Sequence, residues 1–170
     1  MSPVAFLTAG LVAVGTGAPG ALRIPVPVIR QAPERCGPAA LAMVLRYYGG
    51  APSALEEAER AYDPVLKGSL ITDLAAAARR AGFAASVERL PEDSLIALLG
   101  GGVPPILLYH RGLGAISVGH FGVVVGWDPE RRRYALNDGS GVTRTISRED
   151  LMRRWRAAGA LALVVRPAGP

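Results

Sequence analysis

Residues 31–49 read QAPERCGPAALAMVLRYYG and contain the only cysteine of the chain, Cys36, directly before a long apolar run. Between Pro38 and Tyr48 nearly every residue is apolar and Arg46 is the one charge, which predicts a helix buried on all sides. Cys36 would then lie at the N-terminus of this helix, where unpaired N–H groups and the helix dipole favour a thiolate. The pattern therefore predicts a reactive thiol, although a lone cysteine can also serve as a small buried hydrophobe.

Gln31 precedes the cysteine by five residues, in a segment that the surrounding prolines keep extended. From there its side-chain amide can reach the neighbourhood of Cys36. Together with the backbone N–H of Cys36, that amide would stabilise the oxyanion formed when a thiolate attacks a carbonyl. This role depends on Cys36 being a nucleophile, since an isolated glutamine is usually a surface polar residue.

The chain has two histidines, and their contexts differ. His110 ends the apolar run PPILLYH, residues 104–110, where a loop is expected to begin. His120 lies in GHFGVVVGWD, residues 119–128, and shares a strand face with Gly122 and Gly126. Such small neighbours would let the central helix approach the strand closely. We therefore expect His120 to be the base that activates Cys36, the alternative being a hydrogen-bonded core histidine.

A third group would fix the orientation of the imidazole by accepting a hydrogen bond from its second nitrogen. The strand 133–137 is predicted to pair with the strand of His120 around the turn at Asp128, and it ends at Asn137 and Asp138. Either residue could accept that hydrogen bond. Asp138 also suits a plain turn before Gly139.

At 170 residues, half of them hydrophobic, the chain is long enough for one domain and too short for two of ordinary size. Predicted helices cluster in the first half and strands in the second, the pattern of an α+β domain. One cysteine excludes an internal disulfide, and the histidines lack acidic partners at ligand spacing, so no metal or other cofactor is expected. The net charge of +5 comes mainly from scattered arginines, which argues against a nucleic-acid partner.

Taken together, these motifs resemble the bacteriocin-processing, or double-glycine-leader, family of papain-like cysteine peptidases. The matching pieces are Gln31 followed by CGPAALAMVLRYYG, GSLITDLAAAARRAGF (68–83), GHFGVVVGWD (119–128), LNDGSG (136–141) and the terminal RRW (153–155) with its following strand. The resemblance implies a papain-like α+β fold in which a central buried helix bearing the cysteine packs on an antiparallel sheet. It also implies Cys36 as nucleophile, His120 as base and acid, Asp138 as orienting group and Gln31 in the oxyanion hole.

The chain departs from the transporter-linked members of that family at three places. Arg35 stands where an acidic residue is usual, one residue fewer separates Gln31 from Cys36, and Gly139 stands where proline is common. No phosphate-binding loop of the GxxxxGK[ST] type is present. The chain therefore resembles the stand-alone, exported relatives.

Residues 1–22 are largely apolar and small, as in an export signal, although the usual positive charge after Met1 is missing. We expect residues 1–22 to be an export signal or a disordered segment, and residues 23–170 to form the peptidase domain. This predicts a location in the periplasm or cell envelope, or in the cytoplasm if the segment is not a signal. The apolar run is short for a membrane span, and we expect no stable span in the mature domain and a monomeric protein.

The expected activity is hydrolysis of a peptide or protein substrate. Two alternatives would use the same cleft: an acyltransferase or amidase with the same triad, and a non-catalytic module that only binds a peptide. Incorporation of a labelled amine from an acyl donor would favour transfer. Alkylation of Cys36 no faster than that of free cysteine would favour the binding module.

Overall fold

Five helices and seven strands lie in the part of the chain that the computed structural model describes, residues 20–112 and 117–169. The helices are α1 (Cys36–Tyr47), α2 (Pro52–Glu59), α3 (Ile71–Arg80), α4 (Glu92–Gly100) and α5 (Arg148–Ala157). The strands are β1 (Leu22–Arg23), β2 (Phe83–Arg89), β3 (Ile106–Arg111), β4 (Val118–Asp128), β5 (Arg133–Asn137), β6 (Thr143–Ser147) and β7 (Leu161–Pro167). The predicted α+β class is confirmed. His110 is the last residue but one of β3, which ends at Arg111, so the loop expected after His110 begins at Gly112.

The strands form one antiparallel sheet in the order β2-β7-β3-β4-β5-β6, with β1 paired beside β4. Helix α1 packs against β4. Every residue of α1 from Gly37 to Leu45 is buried, as expected for a helix that is apolar on all sides. The predicted central buried helix on an antiparallel sheet is therefore confirmed.

Helix α1 begins at Cys36 itself. Pro38 lies in its first turn, where the missing proline N–H costs no intrahelical hydrogen bond. The helix ends at Tyr47, and Gly49 adopts a φ of 76° that turns the chain away from the helix axis. Cys36 thus occupies the first helical position.

Strands β4 and β5 form the hairpin predicted around Asp128, and β5 has the predicted bounds Arg133–Asn137. In the register of this pair, Asn137 lies opposite Val123. The turn that follows β5 is therefore directed toward His120, which lies three residues before Val123 in β4.

The glycines of β4 make room for groups other than α1. A Cβ atom on Gly122 would lie 3.1 Å from Cε1 of Tyr109, and one on Gly126 would lie 2.7 Å from the carbonyl oxygen of Leu22. The expectation that these glycines admit the helix is therefore wrong. They admit a tyrosine ring and strand β1 instead, and a bulge between Val124 and Gly126 interrupts the alternation from which that expectation was drawn.

Most of the predicted export segment, up to residue 19, lies outside the described residues, and its role stays a prediction. Leu22, the last residue of that segment, already pairs with Trp127 in the sheet. Among the helices that the structure describes, none combines the length and apolar character needed to cross a bilayer.

Candidate active site

Cys36 is half-buried at the N-terminus of α1. The N-cap residue, Arg35, makes no side-chain hydrogen bond to the first turn of the helix. Instead its guanidinium donates to Glu59 at 2.9 Å and lies 4.0 Å from the centre of the Tyr62 ring. The N–H groups at this end of α1 are thus free of a side-chain cap and can stabilise a thiolate or an oxyanion.

His120 is buried in β4, and its Nε2 lies 2.9 Å from the carbonyl oxygen of Asp138. A carbonyl oxygen can only accept, so Nε2 carries the proton and donates it. The lone pair of the neutral imidazole is then on Nδ1, which is the atom left to accept a proton from a thiol. The backbone of Asp138 therefore fixes the tautomer that a base at this position needs.

Tyr109 and Arg111 of β3 surround the imidazole. Tyr109 pairs with His120 across the two strands, and their rings meet edge to face with centroids 5.5 Å apart. Nη1 of Arg111 lies 3.3 Å from Nε2 of His120. Both atoms carry protons in the tautomer set by Asp138, so this contact places a positive charge beside the ring without a hydrogen bond.

The surroundings lower the pKa of His120 below its usual value. Burial is the main cause, because it disfavours the charged imidazolium, and the charge of Arg111 acts in the same direction. The hydrogen bond to the Asp138 carbonyl and the charge of the Asp138 carboxylate oppose this effect without cancelling it. His120 is consequently held as a neutral base near neutral pH.

Asp138 is buried and ionised. Burial alone would raise the pKa of its carboxyl group, but the hydrogen bond from Ser140 and the charges of Arg111 and Arg144 outweigh burial and hold that pKa below its usual range. Oδ1 accepts the backbone N–H of Ser140 at 3.1 Å, and Oδ2 lies 3.7 Å from Nε of Arg144. The carbonyl of Asp138 thus bonds to His120, while its carboxylate stabilises the turn and supplies negative charge nearby.

Asn137, the alternative orienting residue, is engaged elsewhere. Its side chain is fully buried, donates to the carbonyl of Val26 at 3.2 Å and accepts from the hydroxyl of Thr143 at 2.7 Å. These bonds tie the segment before α1 to the end of the sheet. Of the two residues, Asp138 is the one that contacts His120.

Gln31 is attached to the same turn. Its backbone N–H donates to the carbonyl of Gly139 at 3.0 Å, and the neighbouring residue Arg30 forms an isolated bridge with Ser140. The segment that leads into α1 therefore runs beside the residues that hold His120.

The phenol of Tyr109 is buried beside this group. Burial raises the pKa of its phenol, and negative charge on Asp138 and on Cys36 raises it further. Within the described residues no group of three or more His, Cys, Asp or Glu side chains could hold a metal ion.

A model of the Peptidase_C39 like family matches residues 23–163, which include all the residues just described. The chain belongs to this family. It is accordingly a cysteine-type peptidase. A comparison with curated proteins gave no significant match.

Solved structures of cysteine peptidases share the fold. A double-glycine-motif protease from an AMS/PCAT transporter, solved in complex with a leader peptide, is 27% identical over 86% of this chain and 94% of its own, with a TM-score of 0.66. A protein of Bacillus anthracis described as C39-like is 16% identical over 89% and 100%, with a TM-score of 0.73. Xylellain, a cysteine protease from Xylella fastidiosa, is 14% identical over 90% and 88%, with a TM-score of 0.60. The papain-like fold expected from the sequence is thus confirmed.

Two residues of this C39 site were not singled out by the sequence: Tyr109 and Arg111. Tyr109 and Arg111 are two residues apart in β3, so their side chains lie on the same face of the strand. The pairing of β3 with β4 brings that face to His120. The sequence signal that could have found them is their spacing of two residues in the strand that precedes the strand of His120. The sequence marks Gly139 as a departure from the family pattern, but its contact with Gln31 is seen only in the folded structure.

Proposed function

We propose that the domain hydrolyses peptide bonds with Cys36 as nucleophile, His120 as general base and acid, Asp138 as the residue that orients the imidazole, and Gln31 as an oxyanion donor. The hydrogen bond between Nε2 of His120 and the Asp138 carbonyl is the observation that carries this proposal. It leaves Nδ1 of a neutral, buried imidazole to take the proton of a thiol at the start of the helix that packs on the same strand.

The reaction follows from these roles. His120 removes the proton of Cys36, and the thiolate attacks the scissile carbonyl to form a tetrahedral oxyanion. The backbone N–H of Cys36 and the amide of Gln31 stabilise that oxyanion, and His120 then protonates the departing amine as the C–N bond breaks. Water attacks the resulting thioester with His120 again as base, which releases the acid product and restores the thiol.

The substrate that best suits this site is an extended peptide segment. Cys36 is only half-buried at the start of α1, so a peptide can reach its thiol from solvent. One of the similar proteases was solved with a leader peptide bound, and we propose that this domain, which shares its fold, binds an extended peptide in a related way. We therefore propose peptide or protein substrates, with small residues preferred before the cut.

Cleavage of a peptide library by the purified protein tests the proposal, with Cys36→Ala as the blank. We expect the wild type to cut a defined subset of peptides, and Cys36→Ala and His120→Ala to cut none while keeping the wild-type unfolding temperature. Cleavage that persisted in either folded variant would refute the assigned roles. A labelled amine in the mixture would report acyl transfer, if it became joined to the new C-terminus.

A further inference from the structure

The turn after β5 holds Gln31 as closely as it holds His120. Gly139, in the middle of this turn, has a φ of 81°. A Cβ atom built on it would lie 2.1 Å from Oε1 of Gln31, 2.7 Å from Cδ and 2.8 Å from Cγ. Separations of that size are far inside van der Waals contact. The outer half of the Gln31 side chain therefore occupies the space that only glycine leaves open.

No hydrogen bond within the described residues fixes the amide of Gln31 in this place. Its Oε1 is buried and has no hydrogen-bond partner there. The backbone of Gln31 is anchored, through its N–H, to the carbonyl of the same glycine at 3.0 Å. The position of the amide thus depends on the backbone anchor and on the fit of the side chain over Gly139.

We propose that Gly139 is a positioning residue that seats the side chain of Gln31 for oxyanion stabilisation, so that one turn sets both the base and the oxyanion donor. This inference rests on the proposed function of Gln31. Asp138 holds His120 through its carbonyl, and the next residue holds Gln31 by its lack of a side chain. Two consecutive residues therefore fix the positions of His120 and Gln31 relative to each other.

A side chain at position 139 would displace Gln31 without unfolding the domain. The atoms that it would meet belong to the far end of a flexible side chain, which can rotate away at little cost. The Asp138 carbonyl bonds to His120 and the Asp138 carboxylate accepts from the N–H of Ser140, and neither bond uses an atom of a side chain at position 139. We expect a selective loss of acyl transfer to Cys36, with the reactivity of the thiol itself unchanged.

The test measures two reactions of Cys36 in the full chain. The burst of p-nitrophenolate from p-nitrophenyl acetate reports acylation, which passes through an oxyanion and needs no knowledge of the natural substrate. The pH profile of alkylation by iodoacetamide reports the thiol and its base, and involves no oxyanion. Cys36→Ala is the blank, and the variants are Gln31→Ala, Gly139→Ala and their combination.

Gly141→Ala is the matched control. Gly141 lies in the same turn with a φ of 88°, and a Cβ on it would meet the guanidinium of Arg30 at 3.0 Å. It shares the backbone strain and the close side chain of Gly139 but not the contact with Gln31. Gly139→Asn is a second variant, because asparagine tolerates this backbone region better than alanine while keeping a Cβ.

We expect Gln31→Ala to slow acylation by about 100-fold, as loss of one oxyanion donor does in other enzymes. Gly139→Ala and Gly139→Asn should each slow it by roughly tenfold or more, with wild-type alkylation profiles, and the double variant should be no slower than Gln31→Ala. Gly141→Ala should acylate like the wild type.

Additive losses in the double variant, an equal loss in Gly141→Ala, or recovery in Gly139→Asn would overturn the inference and leave the proposed function intact. Wild-type acylation by Gln31→Ala would instead remove Gln31 from the proposed mechanism, and the role of Gly139 with it.

Discussion

A single ring nitrogen of His120 has two neighbours with opposite electrical effects. The Asp138 carbonyl accepts its proton at 2.9 Å, whereas the Arg111 guanidinium lies 3.3 Å away and repels a second positive charge. The first contact sets the tautomer, and the second lowers the pKa of the imidazolium together with burial. The other groups that act on His120 are the Asp138 carboxylate and the Tyr109 ring.

Removal of the charge at position 111 should raise the pKa of His120. The pKa in the folded protein is lowered, so loss of a cation that lowers it moves the titration midpoint upward, and the imidazolium persists to higher pH. We expect this shift in Arg111→Gln, measured by NMR titration of the ring proton in the Cys36→Ala background, where the thiol no longer titrates.

Arg111→Lys is the matched control, since it keeps the positive charge. The titration midpoint of His120 in this variant should stay near that of the protein with Arg111. An unchanged or lower midpoint in Arg111→Gln would contradict the assigned effect. The same outcome in the lysine variant as in the glutamine variant would indicate a role in packing instead.

Asp138 contacts His120 through its backbone, and a side-chain substitution leaves that contact in place. Asp138→Asn should therefore keep the tautomer with Nδ1 unprotonated and lose only the nearby negative charge. We expect a clear fall in kcat, but one much smaller than the roughly 10⁴-fold loss seen in a serine peptidase when the orienting aspartate becomes asparagine and the tautomer is wrong. Steady-state cleavage of the best library peptide measures it, and a loss of that full size would show that the carboxylate, not the carbonyl, orients the ring.

Gly139 also accounts for one departure from the transporter-linked relatives. Proline is confined to a φ near −65°, whereas residue 139 has a φ of 81°. The turn seen here is thus closed to proline by its backbone, independently of the contact with Gln31. The backbone conformation at Asp138-Gly139 therefore differs from any that an aspartate–proline pair could adopt.

At the scale of the elements, the segment between β1 and α1 is held by residues of β5 and β6. Asn137 of β5 bonds to the carbonyl of Val26 and to the hydroxyl of Thr143, with its side chain fully buried. Asn137 therefore fixes the segment that leads to Gln31. Its loss should mainly lower the free energy of unfolding.

Asn137→Ala should lower the free energy of unfolding by about 2–3 kcal/mol, since it removes two buried hydrogen bonds and leaves the Val26 carbonyl without its donor. Thr143→Val, which removes only one partner, should cost about 1 kcal/mol. Urea unfolding of both variants measures the difference. Equal losses would mean that the bond to Val26 contributes nothing, and the segment would have to be fixed by other contacts.

The elements that sequence predicted well are those whose signal is local. The apolar run after Cys36 predicts α1, and the turn residues at Asp128-Pro129 and Asp138-Gly139 predict β5 between them. The neighbours of His120 could not be predicted in the same way, because they depend on the register of β3 against β4, which brings Tyr109 opposite the histidine. The fit of Gln31 over Gly139 joins residues distant in the chain, so only the folded structure shows it.

At the scale of the whole molecule, one buried carboxylate joins three elements behind the site. Glu92 of α4 accepts from the hydroxyl of Tyr134 in β5 at 2.8 Å and from Nε of Arg148 in α5 at 2.7 Å. The Glu92 side chain is only 9% exposed, whereas that of Arg148 is 36% exposed. Water can therefore solvate the arginine if its partner is lost, but can scarcely solvate the glutamate.

This asymmetry predicts unequal effects of the two truncations. Arg148→Met should leave a carboxylate that water scarcely reaches with one hydrogen bond, and should be the more destabilising of the two substitutions. Glu92→Gln keeps an acceptor for Tyr134 and leaves a cation that solvent reaches, so it should lower the free energy of unfolding by less. Urea unfolding of the two variants and of the double variant gives both values and their coupling. A larger loss in Glu92→Gln than in Arg148→Met would mean that the tyrosine bond, rather than the ion pair, holds α4 and α5 to the sheet. In that event Tyr134→Phe should reproduce the loss on its own.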